Sequence, residues 1–134
     1  MRDEKSASGP STTGLFLGVA SLAAGVYHGY MDGQGIPIEK ENLEMALTYG
    51  PALVQGGLGA TVGGMVGLVG GASIGATSGR WSESTLEKVA KGTGGAVIGT
   101  VACAGVGGVV GGIKGGLQTL IGYGIGFVVG SIIK

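Results

Sequence analysis

The chain has 134 residues, enough for one domain, with eight basic and eight acidic side chains and no net charge. Glycine supplies 33 residues and charged side chains only 12%, against ~25% charged in a typical soluble domain. Three prolines and no Gly-X-Y period exclude collagen, and glycines interleaved with Val, Ile, Leu and Ala exclude ordinary disorder. The charge balance leaves no basic footprint for nucleic acid, and the single Cys103 excludes an intramolecular disulfide.

Residues 1–12 are polar and carry Gly9-Pro10, the composition of a tail. The first apolar segment, residues 13–30, is short for a membrane span. A signal peptide with a small-residue site near Ala23-Ala24 is the alternative, but Asp3 and Glu4 beside Arg2 and Lys5 make a poor basic leader. Residues 31–50 form a polar loop with Asp32-Gly33 turn chemistry and Pro37. Within it, residues 43–49 predict a short helical turn leading to Pro51, which suits the first turn of a second span over residues 51–78.

Residues 79–91 form the second polar loop, in which Ser84-Thr85-Leu86-Glu87 has the form of a capping box. It predicts a helix entered at Thr85 and continuing through a third span at 92–113, with Lys88 and Lys91 at headgroup level. The GIKGG stretch at 112–116 predicts a turn that makes the third span the antiparallel neighbour of a fourth, at 117–133. Residues 51–78, 92–113 and 115–133 contain no charge, and a helix of ~20 such residues crosses a hydrocarbon core. The expected fold class is therefore all-α: an integral membrane bundle of about four transmembrane helices, with residues 13–134 as the membrane domain. Tyr30, Tyr49 and Trp81 fall near the expected interfaces, where such rings are favoured.

Four spans put both termini on the side of the 79–91 loop. That side holds Arg2, Lys5, Arg80, Lys88, Lys91 and Lys134; the other holds Lys40 and Lys114. The bias predicts both termini on the cytoplasmic side.

The main pattern is glycine at helical spacing. Gly59, Gly63, Gly67, Gly71, Gly75 and Gly79 stand four apart. Gly95, Gly99, Cys103, Gly107, Gly111 and Gly115 repeat the spacing, with a second row at Gly108, Gly112 and Gly116. Gly122, Gly126 and Gly130 follow in the last span; Gly14 and Gly18, then Gly25 and Gly29, in the first. Glycine costs ~1 kcal/mol relative to alanine inside a helix, so no water-exposed helix is built this way. In lipid the backbone must be hydrogen-bonded regardless, and a missing Cβ becomes a packing device. Rows of GxxxG predict glycine-zipper contacts, with crossings near −40°. A four-residue row on a straight helix drifts ~40° per step, so each of spans two and three is expected to touch more than one neighbour. Large and small residues alternate from Ile121 to Phe127, which fits a strand as well; the other runs and the capping box favour helix.

Little else carries chemistry. His28, the only histidine, lies between Tyr27 and Tyr30 with no patterned metal ligand, and is expected as an interfacial ring. Asp32, Glu39, Glu41 and Glu44 are expected as a solvated face, and Gln55, Thr61, Ser73, Thr77, Thr100, Gln118 and Thr119 as bridges between helices. Gly105-Val106-Gly107-Gly108 lacks the strand and acidic residue of a dinucleotide site, and no phosphate-loop GK[ST] is present. No catalytic, cofactor-binding or metal site is expected; the expected partners are the lipid bilayer and, through glycine faces, this chain itself or another membrane protein.

Span count, size, the GxxxG rows, Arg80 between spans two and three and Gly92 beyond it resemble the Tim family, translocase subunits of the inner mitochondrial membrane and their channel-forming relatives. The sequence departs from that family at Val69, where an aromatic stands upstream of the arginine, at Ser84, where the family is acidic, and at Ala96, which replaces a glycine. No functional residue carries over. The composition and the rows together predict a non-enzymatic subunit or oligomer of a pore, translocation or membrane-remodelling assembly. The alternatives are a toxin or lysis protein that inserts from water, and a scaffold packing on a larger partner.

Overall fold

The computed structural model describes residues 12–39, 41–78 and 84–133. Three helices account for nearly all of them: α1 (Thr12–Gly33), α2 (Glu41–Thr77) and α3 (Thr85–Ile132). The fold is all-α, and each helix is long and apolar enough to cross a membrane.

Where the sequence predicts four helices, there are three among the described residues. Residues 112–116 are helical and continue α3. GIKGG contains no proline, so nothing in it forbids continuation. Gly111 and Gly115 belong to the four-residue row, and in the structure they lie against the carbonyls of Gln55 and Pro51 on α2. One residue cannot serve both a contact row and a turn, and here the row prevails. The alternating stretch 121–127 is helical too, which removes the strand reading.

The helical turn predicted at 43–49 merges with the second span, so Pro51 sits inside α2 rather than in its first turn. Its ring nitrogen has no hydrogen to give the carbonyl of Leu47. Glu41 and Glu44 occupy the first turn of α2, where carboxylates suit the positive end of the helix dipole. The turn between α1 and α2 is made by Gly35, not by Asp32-Gly33. Gly35 has φ 71°, its N–H donates to Asp32 O (2.9 Å), and the Ile36 N–H donates to Met31 O (3.0 Å). This is a Schellman cap, which requires a left-handed residue; Pro37 beyond it prevents the helix from resuming.

At the start of α3 the capping box forms. The Glu87 N–H donates to Ser84 Oγ and the Ser84 N–H donates to the Glu87 carboxylate, both at 3.3 Å. Two amides that a helix start leaves without partners are satisfied within one turn.

The chain divides into two compact units, one joining Met1–Thr48 to Gln118–Lys134 and the other Tyr49–Leu117. In the second, α2 and α3 run antiparallel: Gly59 meets Gly107, Gly67 meets Gly99 and Gly75 meets Lys91. In the first, α1 and the end of α3 run parallel: Gly25 meets Thr119, Gly29 meets Tyr123 and Gly33 meets Phe127.

Among the described residues no hydrophobic side chain is buried. What is buried is small or polar, including Gly18, Ser21 (2% exposed), Gly25, Gly29, Gln55, Gly67 and Thr119. Phe16, Leu53, Leu86 and Ile132 are each more than 70% exposed. This reverses the order of a water-soluble domain, whose apolar side chains fill its interior.

Replacing Ser84 and Glu87 together by alanine removes the cap. The first turn of α3 should fray at a cost of ~1 kcal/mol, measured as faster amide exchange at residues 85–88 in micelles with exchange beyond residue 95 unchanged.

Candidate functional site

The candidate site is the set of helix contacts, and it is made of backbone. In the unit Tyr49–Leu117, a Cβ built on Gly59, Gly63, Gly67, Gly71 or Gly75 would fall on the carbonyl oxygen of Gly107, Cys103, Gly99, Gly95 or Lys91, respectively, at less than any van der Waals separation. The relation is reciprocal at three places: Gly107 faces the carbonyl of Gly59, Gly99 that of Gly67, and Gly95 that of Gly71. The glycine hydrogen that stands where a side chain would begin therefore points at a carbonyl oxygen. Such Cα–H···O contacts contribute ~0.5–1 kcal/mol each, which approaches the ~1 kcal/mol that glycine forfeits in helix propensity.

A looser row flanks the tight one. A Cβ on Gly56 would be 3.1 Å from Gly108 O, on Gly108 3.4 Å from Ala60 Cβ, and on Gly64 3.6 Å from Ala104 Cβ. Of the second row predicted on α3, Gly112 approaches Ala52 O and Gly116 only grazes Ala52 Cβ at 4.0 Å. Cys103 occupies a glycine position in the tight row, offering its carbonyl to Gly63 and its Cβ to Gly67. Gly79 lies outside the described residues.

The five described glycines of the row, Gly59, Gly63, Gly67, Gly71 and Gly75, meet the same helix, α3. The expectation that drift would carry the row to a second neighbour is thus overturned. A contact row with a period above 3.6 stays on one partner when the two helices coil right-handedly about each other, because the coil cancels the drift.

In the other unit, Gly122, Gly126 and Gly130 lie against the carbonyls of Leu22, Val26 and Tyr30. Gly25, Gly29 and Gly33 answer from α1 against Thr119, Tyr123 and Phe127. Gly33 was hidden in the sequence because it reads as part of a loop; its spacing of four from Gly29 was the available signal.

Four of the hydroxyls expected to bridge helices turn back on their own helix instead. Thr61 donates to Gly57 O (2.9 Å), Ser73 to Val69 O (2.8 Å), Thr77 to Ser73 O (2.7 Å) and Thr100 to Ala96 O (2.7 Å), each one turn back on its own helix. Thr61, Ser73 and Thr77 are exposed, and for each the carbonyl one turn back on its own helix is within range.

A polar cluster closes one end of the α1 unit. The Tyr123 hydroxyl donates to the Asp32 carboxylate. The His28 ring stands edge-on to Tyr123, centroids 5.3 Å apart at 80°, and Tyr123 stacks on Phe127 at 6.2 Å. Thr48 Oγ1 donates to Glu44 O (2.8 Å) and lies 3.4 Å from His28 Nδ1. The cluster thereby ties α1, α2 and α3. His28, Asp32 and Glu44 also border an open cavity of 230 Å³ with Ile36, Pro37 and Ile38. Among the described residues no three His, Cys, Asp or Glu side chains converge as a metal site would require. Sequence spacing could not show this cluster, since Asp32 and Tyr123 are 91 residues apart.

No protein-family model matches this chain, and neither do the curated proteins or the solved structures.

Gly67 and Gly57 make a controlled pair, since a Cβ on Gly57 meets nothing within 4 Å. Gly67→Ala should destabilise the α2–α3 pair by ~3 kcal/mol, the upper range for overpacking, because the atom it strikes is backbone. Gly57→Ala should be neutral or stabilising by up to ~1 kcal/mol. Reversible denaturation in micelles, compared between the two variants, measures both.

Proposed function

We propose that this chain is a non-enzymatic integral membrane protein, packed by glycine zippers, that works as a subunit or oligomer of a pore, translocation or membrane-remodelling assembly. The observation that carries the reading is the reversed burial. Leu, Val, Ile and Phe side chains are exposed along all three helices, and no hydrophobic side chain is buried among the described residues. A soluble monomer rarely exposes more than a few hundred Å² of contiguous apolar surface, whereas lipid accepts such a surface at no cost.

Two further observations favour an assembly over an isolated chain. The 48 residues of α3 come to ~72 Å of helix, more than twice a hydrocarbon core of ~30 Å. A single bilayer cannot cover that length, and apolar surface on neighbouring protein supplies the rest. In addition, Gly50, Gly57, Gly70, Gly94, Gly105 and Gly124 face open space, so their helix cost has no return within the chain. Contact with a further helix accounts for them by the rule that governs Gly67. The likeness to the Tim family belongs to the same reading, through the GxxxG rows it shares.

The chain should float with membranes and resist alkaline carbonate extraction, and mass measurement of native-membrane material in mild detergent should give a multiple of the chain or a complex with another membrane protein. A water-soluble form that releases dye from protein-free liposomes would instead establish the inserting-toxin alternative. A monomeric mass would overturn the assembly.

A further inference from the structure

We infer that α1 and the end of α3 cross the membrane in the same direction, so that an odd number of crossings runs from α1 to α3 and the start of α1 and the end of α3 lie on opposite faces. The inference rests on the membrane reading above and on the pairing within the first unit. Along α1, the partners of Gly25, Gly29 and Gly33 advance from Thr119 to Tyr123 to Phe127. Both numbers rise together, which only parallel helices allow. The reverse view agrees, because Gly122, Gly126 and Gly130 meet Leu22, Val26 and Tyr30 in that order.

The parity follows without any geometry beyond this pairing. Successive crossings alternate in direction, so two crossings that point the same way are separated by an odd number of others. α2 supplies one, and α3 remains a single helix through residues 112–116. A fourth crossing would make the first and last antiparallel, and the contacts between α1 and residues 118–132 could not form. The 22 residues of α1 rise ~33 Å, enough for one bilayer. Asp32, with its Tyr123 hydrogen bond, stands at the far end of α1.

This replaces the same-side arrangement that four spans require.

The test is sidedness in the full chain. In a Cys103→Ala background, single cysteines Ser6→Cys, Ser84→Cys and Lys134→Cys are probed with a membrane-impermeant maleimide on right-side-out and inverted vesicles. Positions 6 and 84 should label from one face and position 134 from the other. Labelling of 6 and 134 from the same face overturns the inference while leaving the membrane reading intact. Release of the protein by alkaline carbonate overturns the membrane reading and the inference with it. Should the cysteine variants fail to accumulate, protease protection of an epitope placed after Lys134 gives the same two outcomes.

Discussion

Everything in this fold depends on how closely two helix backbones approach. Where Gly67 faces Gly99, the atoms in contact are a Cα and a carbonyl oxygen, and no side chain stands between them. That approach sets the pairing of α2 with α3 and of α1 with residues 118–132. It also decides where the large side chains go. With the interior occupied by backbone, Leu, Val, Ile and Phe have only the outside left, so burial is reversed as a consequence of packing. A fold whose cohesion comes from backbone contact and dispersion draws nothing from the expulsion of water, and is suited to a solvent that offers no such drive.

The polar groups follow the same logic. Each hydroxyl of Thr61, Ser73 and Thr77 is satisfied by the carbonyl one turn back, so it needs nothing from its surroundings. The groups that do join elements, Asp32, Tyr123, His28 and Thr48, collect at one end of α1 beside the Schellman cap. Backbone contact carries the helices along their length, and side-chain hydrogen bonds hold them where the chain turns.

Much of this was legible in the sequence because its cause is local. The rows at 59–75 and 95–115 announce themselves by spacing, and the Ser84–Glu87 box fixed the start of α3 to the residue. Errors arose where one residue supported two local readings. Gly115 is both a turn former and the next member of a row; Pro51 is both a helix starter and a tolerated interior residue; Asp32-Gly33 has turn chemistry, yet the cap needed the left-handed φ that Gly35 provides. Composition cannot arbitrate between such readings, because the deciding partner lies elsewhere in the chain. The same holds for the direction of pairing: nothing in the spacing of Gly122, Gly126 and Gly130 says whether α1 runs with them or against them.

An interface made of backbone has a property that side-chain interfaces lack. Every fourth residue presents the same surface, so sliding α2 along α3 by one glycine step restores nearly the same contact. Side chains in the Gly59–Gly75 and Gly95–Gly107 rows therefore cannot fix the register; Cys103 itself would find a glycine opposite at either neighbouring step.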